Sequence, residues 1–258
     1  MAGQQETLRL EGIVKRFGAL TALNGVDLHL NKGEVLGLIG DNGAGKSTLI
    51  KIITGFHRPD GGTILIDARP VVLKSVSQAR TLGIETVYQD LALINELSVY
   101  HNMFLNSEVT FPPLRLLNNR EMKKRTARYI EDIGVNIPSI DTQVARLSGG
   151  QRQAIAVARS VYSKAHILLL DEPLAAMGAK EGAQILDFIA RLKQDGDVSM
   201  ILIAHNYAHV FEVCDRVNLL QRGQITYDKP TSESSVEELT ELVVAEYRQA
   251  RTGRDAAS

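Results

Sequence analysis

The chain has 258 residues, 44% of them apolar and 23% charged, and its 29 Lys and Arg against 30 Asp and Glu leave a formal net charge of −1. These globular proportions exclude wholesale disorder, and near neutrality excludes a general electrostatic grip on nucleic acid, leaving room only for a local basic patch. The single cysteine, Cys214, excludes an internal disulfide framework and fits a reducing compartment, and no apolar run reaches the roughly 18 residues of a membrane-spanning helix.

The opening residues, Met1-Ala2-Gly3-Gln4-Gln5-Glu6, are polar and lack the hydrophobic centre of a signal peptide. A soluble, cytoplasmic protein is expected, with any membrane association arriving through a partner. Residues 8–14 and 22–30 partly alternate polar and apolar positions, as strands with one solvated face do. Phe17, beside Gly18 in the connection between them, has two open readings: core packing, or stacking of its ring on an adenine.

The apolar strand 35–39 runs into Gly40-Asp41-Asn42-Gly43-Ala44-Gly45-Lys46-Ser47, and a helix follows from Thr48. All fixed positions of G-x-x-x-x-G-K-S are filled, in the strand–loop–helix context that its mechanism needs. Glycines let the backbone turn its N–H groups onto a polyphosphate, and the helix N-terminus adds further donors and a positive dipole end. Lys46 would then meet the β- and γ-phosphates and Ser47 would ligate Mg²⁺, with Asp41, Asn42, Ala44 and Thr48 completing the nucleotide-binding stretch.

Pro59-Asp60-Gly61-Gly62 reads as a turn, residues 63–66 as a strand, 77–82 as a short helix, and 84–88 as a strand that stops at Gln89. From about 91 to 148 the texture becomes helical, with helices around 99–105 and 120–133 and no convincing strand between them, so a helical subdomain inserted into the α/β core is expected. Leu147-Ser148-Gly149-Gly150-Gln151 then opens a helix with serine at the N-cap, a second anion-ready terminus in a chain with one Walker-type lysine. Either it binds something else or it completes a site in another copy.

The strand 166–170 delivers Asp171-Glu172-Pro173, a helix is expected over 180–193, and the strand 199–204 ends at His205. A hairpin over 216–220 and 224–227 follows, then an acidic helical segment over 232–247 and a frayed end over 251–258. Four polar features thus sit directly after apolar strands. If those strands are parallel neighbours, the loop from Gly40, Gln89, Asp171-Glu172 and His205 gather at one sheet edge, where open α/β sheets bind ligands. Asp171 would hold Mg²⁺, directly or through water, and Glu172 would orient or deprotonate the attacking water. Gln89 would touch the metal or the water through its carbonyl, and His205 would stabilise charge on the transferred phosphoryl group.

In this order, the loop at 40–47, Gln89, 147–151, 167–172 and His205 resemble the ATPase subunit of ABC transporters over about residues 7–228. The resemblance implies an α/β fold: a P-loop NTPase core (1–90 and 149–230) with a mostly parallel sheet, an N-terminal antiparallel β portion, a helical insert (91–148) and a C-terminal acidic helix with a frayed tail (231–258). It implies ATP and Mg²⁺, catalysis by Lys46, Gln89, Glu172 and His205, and metal contacts from Ser47, Gln89 and Asp171. It also implies a head-to-tail dimer in the ATP-bound state, in which Ser148, Gly149, Gly150 and Gln151 of one copy cap the nucleotide held by Lys46 of the other. Gln89 would lie where the core meets the insert, which receives a short helix from a transmembrane permease subunit.

Finer features, Gly40-Asp41-Asn42-Gly43, residues 83–89, Asn102-Met103-Phe104-Leu105, and His205-Asn206 followed by Val210-Phe211, are similar to the monosaccharide-import branch. Its members often carry two ATPase halves, whereas this chain carries one and would work as a homodimer. Partners implied are the permease subunits and, indirectly, a periplasmic or extracellular sugar-binding protein, with the chain peripheral on the inner membrane face. Phe17 stands where many relatives have tyrosine. Leu174 replaces a common threonine, and Ala175-Ala176-Met177-Gly178 replaces Ser-Ala-Leu-Asp, which puts the hydrolysis rate and signalling between domains in question more than ATP binding. Other readings remain: an amino-acid importer or exporter ATPase, a regulatory subunit that binds ATP without turning it over, or a soluble ABC-type ATPase acting on nucleic acid or ribosomes. The last usually has two ATPase halves or long linker insertions.

Overall fold

The computed structural model describes residues 5–88, 91–163, 165–175 and 177–255, with side chains to residue 245 in the last helix. The chain opens with a long antiparallel hairpin, β1 (Glu6–Phe17) and β2 (Leu20–Asn31). β3 (Val35–Ile39) leads into α1 (Lys46–Ile53), followed by β4 (Gly61–Ile66), β5 (Arg69–Val71), α2 (Val76–Thr81) and β6 (Ile84–Val87). The next stretch holds α3 (Val99–Met103), a small hairpin of β7 (Thr110–Phe111) and β8 (Leu116–Leu117), and α4 (Asn119–Ile133). Then come α5 (Gly149–Val161), β9 (Ile167–Asp171), α6 (Ala179–Asp195), β10 (Ser199–Ile203) and α7 (Tyr207–Val213). β11 (Arg216–Gln221), β12 (Gln224–Pro230) and α8 (Val236–Asp255) close the chain.

Two main sheets result. An antiparallel sheet has the order β2-β1-β4-β5, and a six-stranded sheet has the order β12-β11-β3-β10-β9-β6, parallel throughout except for β12. The expected mixture of an N-terminal antiparallel portion and a mostly parallel sheet is what the chain forms. The central strands are apolar on both faces because both faces are covered, as all-parallel arrangements require. Along β9, Leu168 and Leu170 pack into a core shared with α5, α6 and the 99–147 helices, whereas Ile167 and Leu169 pack toward α1 and the antiparallel sheet. β10 divides in the same way, Met200 and Leu202 to one side and Ile201 and Ile203 to the other.

Several elements differ from the sequence reading. The segment expected to hold no strand contains β7 and β8, too short at two residues each for periodicity to register. β5 and α7 were not anticipated, and α8 continues to Asp255, through part of the stretch expected to fray. α5 packs against α3 and α4 and also against β6, so it joins the helical stretch to the edge of the parallel sheet.

Candidate active site

The register of the parallel sheet sets the site. Ile203 lies opposite Asp171 on one side of β10 and opposite Leu38 on the other, so β3, β10 and β9 end at nearly one level. The loop from Gly40 leaves the first of these ends, His205 follows the second, and Asp171-Glu172 the third. The loop is closely fitted. Gly45, at φ 112°, caps α1, and a Cβ there would come 2.7 Å from the Ala22 carbonyl oxygen, which excludes any larger residue without a backbone shift.

Lys46 is buried, and its Nζ donates to the carbonyl oxygens of Gly40 at 2.5 Å and Asp41 at 3.0 Å. Of the three ammonium protons, two are therefore satisfied by the loop itself and one is left for a ligand. Burial holds the Lys46 pKa below the ordinary lysine value, against the opposing pull of Glu172, Asp41 and Asp171. Burial pushes the Asp171 carboxyl up, helped by the charge of Glu172 and opposed by Lys46, His205 and Lys51. Lys46 and Asp171 thus each feel the other and also Glu172, as groups gathered at one rim must.

Glu172 adopts φ 52°, in the left-handed region, and its N–H donates to the Ile203 carbonyl oxygen at 3.1 Å. This bends the chain out of β9 and turns the side chain toward the neighbouring strand end. There Glu172 Oε1 lies 2.7 Å from Nε2 of the half-exposed His205. Asn42, Gly43 and Ser47 are exposed and Thr48 half-buried, so the loop's outer rim faces solvent. Gln89 lies outside the described residues; the strand that leads to it, β6, ends at Val87 opposite Leu170 of β9.

Phe17 is 43% exposed, with its ring edge-on to His57 at 5.3 Å and Lys15 Nζ 5.5 Å from the ring centre. Of its two readings, core packing is thereby removed. Ser148 caps α5 by accepting from the Gln151 N–H at 3.2 Å, while Gln151 Oε1 accepts from the Ser148 N–H at 3.0 Å, a reciprocal capping box. Ser148 and Gly149 are exposed. Among the described residues, no hydrogen bond or ion pair joins 148–151 to the loop at 40–48 of the same chain. α5 sits against β6, three strands from β3, a lateral separation of roughly 14 Å at about 4.8 Å per strand.

Sequence reasoning missed three contributors. Lys51 acts on Asp171 by its charge, but it lies five residues beyond Lys46 with no motif to mark it. Glu181 packs against Gly150, where a Cβ would come 3.2 Å from its Cγ; its place three residues after the Gly178 cap of α6 was the available signal. Gln184 is the third: it donates to the Gly134 carbonyl oxygen at 2.7 Å and fastens the turn after α4, beside Gln151, a residue the sequence did single out, which donates to the Asn136 carbonyl oxygen at 2.7 Å.

Comparison with known proteins decides the family. The model of the ABC transporter family matches residues 23–175. The chain belongs to that family. The xylose/arabinose import ATP-binding protein XylG of Sulfolobus acidocaldarius is 45% identical over 240 residues, 93% of the ABC chain and 94% of XylG. The fructose import ATP-binding protein FrcA of Rhizobium meliloti is 42% identical over 227 residues, 86% of this chain and 87% of FrcA. Among solved structures, MJ1267, an ATP-binding cassette of an ABC transporter, superposes with a TM-score of 0.79 at 28% identity, covering 94% of this chain and 98% of its own. The ABC chain is an ATP-binding subunit, and among its described residues no helix is long and apolar enough to cross a membrane.

Proposed function

We propose that this ABC chain is the ATP-hydrolysing, energy-coupling subunit of a monosaccharide importer. The observation that carries the reading is the Glu172–His205 pair, 2.7 Å apart at the ends of the two strands next in order after the one that leads into the Lys46 loop. The sugar class is taken from the import proteins for xylose/arabinose and fructose that the chain matches over most of their length.

In this reading the loop at 40–48 cradles the triphosphate with its N–H groups, and the free Lys46 proton meets the β- and γ-phosphates. Phe17 offers its exposed ring to the adenine. Glu172 takes the proton of the water that attacks the γ-phosphorus, the bond to the β-bridging oxygen breaks, and ADP and phosphate leave. His205 releases Glu172 and donates to the γ-phosphate as charge gathers there.

The residues fit a magnesium ion. A carboxyl raised by burial and by a like charge, as Asp171 is, gains from a cation, and Ser47, next to Lys46 in the loop, offers an exposed hydroxyl. Ser47, Asp171 and Gln89 would hold it, and Mg²⁺ bound there would neutralise charge on the phosphates.

Ser148 and Gly149 are exposed and, with Gly150 and Gln151 behind them, would cap the nucleotide of a second copy. ATP then stabilises a closed homodimer, and that differential affinity is the free energy passed to the permease subunits at the inner membrane face. A sugar-binding protein outside would supply the cargo. The test is Glu172→Gln: ATP affinity unchanged, hydrolysis reduced about 100-fold or more, and a stable dimer with ATP. Hydrolysis at the wild-type rate would remove Glu172 from the mechanism.

A further inference from the structure

Among the described residues, the largest concentration of exposed apolar side chains lies far along the chain from the nucleotide loop, on the β7–β8 hairpin. Leu114 is 75% exposed, Leu116 61%, Phe111 52% and Leu117 49%, and the intervening Pro112 and Pro113 are exposed as well. The hairpin is well formed: Thr110 pairs with Leu117, Phe111 with Leu116, and the Arg115 N–H closes the turn on the Phe111 carbonyl oxygen at 2.9 Å. Its apolar surface is therefore displayed by a defined structure rather than by an unpaired loop. Directly opposed residues share a face, so Phe111 and Leu116 cover one side, Leu117 the other, and Leu114 the tip. A protein groove would need one apolar face; this hairpin carries exposed apolar side chains on both faces and at its tip.

The charge beside it is mainly positive. Arg115 stands in the turn, and Arg120, Lys124 and Arg128 follow at four-residue spacing along the exposed side of α4. These four make no ion pair among the described residues, whereas Lys123 is held by Asp141 and Arg125 by Glu121. The exposed acids nearby are Glu108 at the hairpin base, Glu131 near the end of α4 and Asp141, which is taken up by Lys123, while Glu121 and Asp132 on α4 are half-buried. An apolar tip backed by exposed cations outside any ion pair suits a diffuse anionic surface with a hydrocarbon layer beneath it.

We propose that the β7–β8 hairpin and the Arg120–Lys124–Arg128 stripe form a contact site for an anionic lipid surface. The hairpin tip enters the interfacial region while the stripe meets lipid phosphates. The chain then touches the membrane itself, beyond any hold supplied by a permease, contrary to the sequence expectation that association comes only through a partner. This goes beyond the proposed transport role and stands independently of the cargo.

The test is flotation of the full purified chain with vesicles of phosphatidylcholine alone and with phosphatidylglycerol added. Recovery with the anionic vesicles is expected to be on the order of tenfold greater, and to fall in high salt. Leu114→Asp with Leu116→Asp reduces it to the neutral-vesicle level, and Arg120→Gln with Lys124→Gln removes the preference for anionic lipid. ATP hydrolysis and far-ultraviolet dichroism stay at wild-type values in both pairs, which separates this result from any failure of the ATPase assignment. The proposal is overturned if the wild-type chain does not float with anionic vesicles, or if the double aspartate variant floats as well as wild type. It is overturned equally if that variant instead loses a nucleotide-independent dimer or a co-purifying permease, which would assign the patch to protein.

Discussion

The Glu172 carboxylate and the His205 imidazole meet at 2.7 Å across two adjacent strand ends, joined by no covalent path shorter than a helix and a strand. Their meeting depends on the pairing of β9 with β10, in which Asp171 faces Ile203. His205→Ala removes a donor to the transferring phosphoryl group and leaves the loop intact. Its kcat is expected to fall by about 10²–10³ with KM little changed, measured by phosphate release.

Asp171 is held in a site that disfavours its own charge, so Asp171→Asn is expected to raise the melting temperature of the nucleotide-free chain at neutral pH by about 2–4 °C, while abolishing Mg²⁺-dependent hydrolysis. The sign follows from linkage. The folded pKa is above the unfolded value of 3.8, so the folded state binds more protons between the two and stability falls as pH rises through that window. The advantage of the asparagine variant should therefore shrink below about pH 4, where wild-type Asp171 is protonated in both states. Thermal melts across pH check this; a constant difference would assign it to packing.

Gly45→Ala places a methyl group 2.7 Å from the Ala22 carbonyl oxygen at a backbone angle of φ 112°. Destabilisation of about 1–3 kcal/mol by urea unfolding is expected, with loss of nucleotide binding because the cradle must move. Normal ATP affinity in this variant would show that the hairpin β1–β2 yields instead.

Ser148 has two roles that substitution can separate. Ser148→Ala removes the α5 cap and is expected to cost about 1 kcal/mol of stability. Ser148→Asp keeps a good capping oxygen but brings a negative charge to the surface proposed to meet a partner's triphosphate. It should unfold like wild type yet fail to dimerise with ATP, as read by sedimentation in its presence.

The strands and the loop at 40–47 were legible because their signals are local: an apolar run of strand length, glycines at set intervals, and a lysine and serine at the helix start. Asp171-Glu172 was legible for the same reason, a carboxylate pair ending a buried strand. The order of the strands was not. Nothing local to residues 199–203 says that this strand lies between β3 and β9, yet that placement brings His205 to Glu172. α7 offered weak periodicity, although Asn206, whose side chain accepts from the Ala208 N–H at 3.0 Å, is a recognisable cap. The ties from Gln151 and Gln184 to the turn at 134–136 join stretches whose proximity only the fold reveals. Gln89, chosen as a strand-end residue, lies outside the described residues.

The pairing of β10 with both neighbours also determines what kind of change this architecture tolerates. Inside 167–171 or 199–203, one aliphatic side chain can replace another, because the ladder of backbone hydrogen bonds, not side-chain identity, carries the alignment. Deleting or adding a single residue there would turn the carboxylates or the imidazole to the opposite side of the sheet. Length, more than composition, is thus what these two short segments must keep over the history of the chain.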